Sequence, residues 1–143
     1  VLCNDSSIRQ EENEWKPEGD PTEVALTVVA RKAGFDPEKE NTGWPRIDAI
    51  PFSSERRYMA TLNRGSEGKH YIYVKGAPER IFDMCKGELE GEDTTEFDND
   101  TWLQRAEDIA ALGQRVLAVA RKEAGESSEL DEDNAEHDLI LLG

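Results

Sequence analysis

The chain is most informative between positions 70 and 79, which read His70-Tyr71-Ile72-Tyr73-Val74-Lys75-Gly76-Ala77-Pro78-Glu79. The first five residues are mostly β-branched or aromatic and contain no glycine or proline, so they predict a strand. Side chains alternate between the two faces of a strand. If Ile72 and Val74 point into a core, Lys75 shares the opposite face with the tyrosines. We therefore predict that the strand ends in a basic corner that faces solvent.

The residues after this lysine predict an immediate change from strand to helix. Gly76 lets a ligand approach the backbone closely, because it carries no side chain. Pro78 has the φ of a first helical residue, and Glu79 lies where the helix dipole favours a carboxylate. A binding corner is one interpretation. An ordinary strand-to-helix turn with a surface lysine is the alternative.

Further strands are predicted on both sides of this stretch, at residues 47–52, 57–62, 115–120 and 138–142. Residues 63–69 contain two glycines and predict the loop of a hairpin into the strand at 70. Pro51 makes the first of these strands an edge strand or an interrupted one. Because the strands follow one another through hairpins and not through helical crossovers, we predict an α+β fold, an antiparallel β-sheet flanked by helices.

Residues 20–33 predict a helix with a strong start signal. Asp20 is the cap, Pro21 is the first helical residue and Glu23 completes the Asp form of a capping box. Gly34 ends the helix. Its predicted buried stripe consists of Val24, Ala25, Val28 and Val29.

Two more helices are predicted in the second half of the chain. A short one follows Pro78 and ends before Gly87, with one side formed by Ile81, Phe82 and Cys85. A longer one runs from a cap at Asp100 to Leu112 and stops at Gly113, with a stripe formed by Leu103, Ala106, Ile109 and Ala110.

Length and charge limit the possible functions. The 143 residues are about one domain long, so residues 1–143 are expected to form a single domain. The net charge of −15 argues against a nucleic-acid partner, which needs a broad basic surface. Residues 88–100 and 123–138 hold acidic residues without a basic one and are predicted to be solvated loops, whereas residues 50–80 are locally basic and leave room for an anion.

No metal site or catalytic set is found. His70 and His137 have no ligand partners at suitable spacing, and Cys3 and Cys85 have neither metal nor redox spacing. No apolar run is long enough to cross a bilayer, so no direct membrane contact is expected. The chain begins without methionine and ends in an apolar segment, which suggests a piece of a longer protein.

Four separated segments, in this order, resemble the nucleotide-binding (N) domain of P-type cation-transporting ATPases, especially the type II group of calcium, sodium and related pumps. They are Asp20-Pro21-Thr22-Glu23, Pro51-Phe52-Ser53-Ser54-Glu55-Arg56-Arg57-Tyr58-Met59, Lys75-Gly76-Ala77-Pro78-Glu79 and Arg115-Val116-Leu117-Ala118-Val119-Ala120. The resemblance spans nearly the whole chain.

The resemblance implies that four residues hold the adenosine. Phe52 would stack on the adenine, Lys75 with Gly76 would line the pocket beside the base and ribose, and Glu23 would accept a hydrogen bond from the adenine amino group. Two alternatives remain open. Glu23 has a sufficient role in the capping box, and a phenylalanine beside a strand usually packs inward.

The resemblance also implies roles for four further residues. Arg57 would lie near the phosphate side, and Arg115 would contact the polyphosphate or ribose, which suits the forked geometry of guanidinium groups. Met59 and Leu117 would form apolar pocket wall, although core packing explains them equally well. Calcium pumps have an arginine where this chain has Ser54, so Arg57 is a candidate substitute and the transported ion stays undecided.

The function that follows from the resemblance is binding of ATP or ADP, with the γ-phosphate presented to an aspartate on a separate phosphorylation domain. Magnesium would arrive with ATP, and the chain itself would be catalytically inactive. The expected partners are the phosphorylation and actuator domains of a parent pump, at the cytosolic face of a membrane, with the fragment monomeric. An acidic protein-interaction domain without nucleotide chemistry is the alternative, and a self-sufficient phosphotransferase is a second one.

Overall fold

A seven-stranded sheet forms the centre of the molecule. The computed structural model describes residues 1–12, 14–65, 68–125 and 129–143. The sheet strands are β3 (Arg46–Ile50), β4 (Tyr58–Arg64), β5 (His70–Gly76), β6 (Cys85–Glu90), β7 (Asp93–Thr95), β8 (Ala118–Ala124) and β9 (Leu139–Leu141), in the order β3-β4-β5-β8-β9-β6-β7. A separate hairpin is formed by β1 (Ser7–Glu11) and β2 (Glu14–Glu18).

Five described helices accompany the sheet: α1 (Pro21–Lys32), α2 (Pro37–Gly43), α3 (Pro78–Phe82), α4 (Asn99–Ala111) and α5 (Glu132–Ala135). Neighbouring strands of the sheet are antiparallel except β6 and β9, which are parallel. The predicted α+β class is confirmed. β3 lies at an edge of the sheet, as Pro51 just beyond its end predicts.

The main core lies on one face of the sheet. Ile72 and Val74 are buried there, as predicted, and pack with Leu62 of β4 and with Ile81 and Phe82 of α3. The opposite face of β5 differs from the prediction. Lys75 is only 6% exposed, so the solvent-facing basic corner is wrong.

Helix α1 begins where the sequence predicts but packs differently. The carboxylate of Asp20 accepts hydrogen bonds from the backbone N–H groups of Thr22 and Glu23. The predicted apolar stripe is wrong at Ala25 and Val29, which are exposed. The buried residue of the helix is Thr27, because α1 lies against the polar N-terminal segment and not against the apolar core.

The other two predicted helices also differ from the prediction at their ends. α3 ends at Phe82, and both Cys85 and Gly87 belong to strand β6. α4 is capped by Asp98 instead of Asp100, because the Asp98 carboxylate reaches the N–H of Thr101. In its predicted stripe, Leu103 and Ala106 are partly buried and pack against the core, whereas Ile109 and Ala110 are exposed.

Several segments differ from their predicted state. Strand β8 starts at Ala118 and not at residue 115 as predicted, so Arg115 and Leu117 precede it. The hairpin loop is shorter than predicted, since Asn63 and Arg64 belong to β4. Residues 88–95 of the first acidic run form most of the β6–β7 hairpin, and residues 132–135 of the second run form α5, so these parts of the two runs are not loops. Residues 126–128 of the second acidic run lie outside the described residues.

Within the described ranges, no helix has both the length and the apolarity needed to cross a membrane.

Candidate functional site

A cavity of about 200 Å³ opens where β4 begins, β5 ends and α1 begins. Seven of the eight predicted site residues line it, and Arg57 is the exception. The lining residues are Asp5, Asp20, Thr22, Glu23, Phe52, Met59, Lys75, Gly76, Arg115 and Leu117. The chain therefore brings together side chains from five separated segments.

An ion pair between a buried lysine and a partly buried glutamate lines this cavity. Lys75 Nζ donates a hydrogen bond to Glu23 Oε1 over 2.8 Å, and the two side chains are 8% and 17% exposed. Lys75 is therefore no surface lysine of an ordinary turn. The described hydrogen bonds of the Glu23 carboxylate include this one and none to the backbone of Asp20, so the reciprocal half of the predicted capping box is not formed.

An exposed aromatic ring lies next to this pair. Phe52 is 60% exposed. The alternative that it packs into the core is therefore wrong. Met59 is 1% exposed and pairs with Lys75 across the β4–β5 ladder, so it is both core and cavity wall. Leu117 is partly buried. A flat ligand on Phe52 would meet apolar side chains and one buried amine–carboxylate pair.

Gly76 is required by the packing of the corner itself. A Cβ built on this residue would lie 2.7 Å from Cβ of Tyr58 and would overlap the carbonyl oxygen of Arg57. That carbonyl accepts a hydrogen bond from the N–H of Ala77 over 3.0 Å. The glycine therefore lets β4 and the turn after β5 approach each other, independently of any ligand.

The two predicted arginines occupy different places. Arg115 is exposed at the cavity. The pKa of Asp20 is lowered mainly because its carboxylate accepts a hydrogen bond from the N–H of Thr22, and the positive charge of Arg115 lowers it further. Arg57 does not line the cavity; its Nη1 contacts Glu79 Oε1 at 2.6 Å, and both side chains are about half exposed. Its role beside a phosphate stays a prediction.

Three lining residues have no predicted role in binding. Asp20 and Thr22 lie in the quoted helix-start motif, so that motif was the available signal. Asp5 had none. Its carboxylate is held at 2.5 Å by Arg46, which is distant in the chain. Burial raises the pKa of the Cys3 thiol to about 11, so this cysteine is protonated at neutral pH.

A larger groove of about 650 Å³ runs between α3 and α4 and shares Arg115 with the cavity. Its described lining contains no aromatic side chain and no buried charge. Across the described residues, no group of three or more potential metal ligands occurs. The smaller cavity is thus the better candidate for recognising a planar, polar ligand.

Known proteins are similar in sequence to this chain over all or most of its length. The family model for the P-type ATPase cytoplasmic domain N matches residues 1–143. The probable cation-transporting ATPase F of Mycobacterium tuberculosis is 42% identical over 145 residues, and the calcium-transporting ATPase of Bacillus subtilis is 34% identical over 148 residues. Each alignment covers 100% of this chain and 16% of the relative.

A third relative has a different printed cargo. The sodium/potassium exporting P-type ATPase cta3 of Schizosaccharomyces pombe is 37% identical over 126 residues, which cover 85% of this chain and 12% of the relative. The chain thus spans about one-sixth or less of the length of these relatives. Together with the α+β sheet and its flanking helices, the match over residues 1–143 shows that the chain belongs to the family of cytoplasmic N domains of P-type cation-transporting ATPases.

Proposed function

We propose that the cavity binds the adenosine end of ATP or ADP. The observation that carries this proposal is the exposed ring of Phe52 beside the buried Lys75–Glu23 pair. The ring offers a stacking surface, and stacking of a base on an aromatic side chain contributes roughly 1–3 kcal/mol. The carboxylate of Glu23 can accept from the adenine amino group, which guanine replaces with a carbonyl oxygen.

The size of the cavity supports binding of only part of the nucleotide. Drug-sized ligands occupy pockets of roughly 300–1,000 Å³, whereas this cavity measures about 200 Å³. The base and ribose therefore lie inside, and the phosphates extend past Arg115 at the exposed side. Arg57 does not line the cavity. We therefore assign it only to the end of the nucleotide that carries the outer phosphates.

The chemistry then belongs to another part of the parent pump. The chain holds the nucleotide, as Mg-ATP, and presents the γ-phosphate to an aspartate on a separate phosphorylation domain, so that domain closure brings the reacting groups together. The phosphorylation and actuator domains are its partners, at the cytosolic face of the membrane. The names of the relatives include both calcium and sodium/potassium, so we assign no ion.

Direct binding tests this function. Titration of the chain with ATP should shift the backbone amide signals of Phe52, Lys75 and their neighbours in a nitrogen–proton NMR spectrum. The isolated chain should show no ATP hydrolysis above background, which distinguishes it from a phosphotransferase. Unchanged spectra at millimolar ATP would contradict the proposal and favour an acidic interaction domain.

Replacement of Phe52 with alanine should weaken ATP binding by roughly 1–3 kcal/mol, because the stacking surface is lost. Since the ring is 60% exposed, the free energy of unfolding should change little. Phe35 is a matched control, because it is 54% exposed and does not line the cavity. Titrations of both alanine variants measure the effect. Equal affinity of the two variants would remove Phe52 from the site.

A further inference from the structure

We propose that Asn4 is a positioning residue that sets the place of Glu23, and thereby determines how well the site prefers adenine over guanine. This inference rests on the proposed nucleotide function. The Asn4 side-chain amide donates from Nδ2 to the carbonyl oxygen of Glu23 over 3.1 Å and to Oγ1 of Thr27 over 2.9 Å. One partly buried amide thus spans the turn of α1 from Glu23 to Thr27.

A small polar cluster surrounds this contact. Thr27 Oγ1 also lies 2.9 Å from Oγ of Ser6 and donates to the carbonyl oxygen of Glu23 over 3.3 Å. The Glu23 carbonyl therefore receives side-chain hydrogen bonds from both Asn4 and Thr27. Thr27 is 4% exposed, so its hydroxyl is isolated from bulk water and the loss of its partner would be costly.

Asn4 is itself held in place by a different part of the fold. Arg46, the first residue of β3, donates from Nη2 to the carbonyl oxygens of Asn4 over 2.8 Å and of Leu2 over 3.1 Å. The thiol of Cys3 points to the carbonyl oxygen of Met59 at 3.6 Å. The segment that carries Asn4 is thus fixed to β3 and β4.

Polar contacts matter at α1 because the main hydrophobic core does not reach it. No described residue of α1 belongs to the main hydrophobic core or to the partly buried residues packed against it. Near its other end, Arg31 donates to the carbonyl oxygen of Ile8 over 3.2 Å. Hydrogen bonds are directional, so this attachment places Glu23 within a narrow range of positions opposite Lys75.

The stacking ring and the arginine of the site lie outside α1. Phe52 follows β3, and Arg115 precedes β8. A shift of α1 would therefore move the Glu23 carboxylate while the stacking ring and the arginine stay where they are. The preference for adenine over guanine would therefore decrease more than the affinity for the phosphates. A purely structural role of Asn4 would instead weaken the binding of both nucleotides equally.

The test uses two nearly isosteric variants of the chain. Asn4→Asp removes the N–H donors, and Thr27→Val removes the hydroxyl acceptor. Each should lower the ratio of ATP affinity to GTP affinity by about three- to tenfold, the range expected for loss of one or two hydrogen bonds. Thr27→Ser keeps the hydroxyl and should retain most of the wild-type ratio. Ser7→Ala is the matched control, because its hydroxyl bonds at 3.3 Å to exposed Glu18.

Distinct results overturn distinct claims. If the wild-type chain binds no ATP, the proposed function fails. If the wild type binds ATP, but Asn4→Asp and Thr27→Val keep its ATP-to-GTP ratio or weaken both nucleotides equally, the positioning role of Asn4 is wrong.

If the variants do not fold, a measurement on the wild-type chain still tests the inference. The NMR signals of the Asn4 side-chain amide should shift more with saturating ATP than with saturating GTP, since adenine presents an amino group to Glu23 where guanine presents a carbonyl oxygen. Equal shifts with the two nucleotides, or none, would overturn the inference.

Discussion

Replacement of Lys75 with methionine should lower the free energy of unfolding by about 3 kcal/mol, because it leaves the Glu23 carboxylate in the cavity without its partner. Breaking a buried ion pair by removing one member costs roughly 3–5 kcal/mol. We expect the lower end of that range, since the Glu23 side chain retains 17% exposure and some contact with water. Urea denaturation followed by circular dichroism measures the change.

Two controls separate burial of charge from loss of a lysine. Lys69→Met removes an exposed lysine whose Nζ lies 3.5 Å from Glu123 and should change stability by about 0.5 kcal/mol or less. The double variant Lys75→Met with Glu23→Gln removes both charges and should recover most of the loss. If Lys75→Met costs no more than Lys69→Met, the Lys75–Glu23 pair is open to solvent and the cavity described above is wrong.

Replacement of Gly76 with alanine should destabilise the fold by about 3 kcal/mol, the upper end of the usual range for overpacking. The added methyl group would lie 2.7 Å from Cβ of Tyr58 and overlap the carbonyl of Arg57. Backbone atoms of a sheet cannot rotate away as a flexible side chain can. We expect a matching decrease in the urea midpoint and weaker ATP binding, because the end of β5 must move.

Gly43→Ala provides the control for the glycine substitution. Nothing lies within 4 Å of a Cβ built on Gly43, which is the last residue of α2. Its replacement should leave stability unchanged or raise it by up to about 1 kcal/mol. Gly76→Ala with the stability of Gly43→Ala would show that the β4–β5 corner is looser than the structure has it.

The sequence predicted elements whose signals are local. The helix start at Asp20 and the strand that begins at His70 were predicted correctly, because caps and β-branched runs act within a few residues. The β1–β2 hairpin was missed. All five residues of β2 are exposed and one is Pro17, so this strand has no alternating pattern to recognise.

The acidic segments show a second limit of pattern reading. Glu88 and Glu90 lie in β6 and Asp93 begins β7, although acidic residues have low β-propensity. An outer hairpin tolerates them because one face is solvated, and the Glu88 carboxylate also accepts a hydrogen bond from the indole of Trp102. Such compensation depends on a partner in α4 and is invisible in the local sequence.

The sequence by itself determined the strand, the tight turn and the helix around Lys75, together with the family resemblance that named the candidate site residues. Only the tertiary structure decided that Lys75 is buried against Glu23, that Phe52 is exposed and that Arg57 turns away to Glu79. The physical reason is range. Backbone propensities act over a few neighbouring residues, whereas the burial of Lys75 depends on a carboxylate 52 positions away in the chain.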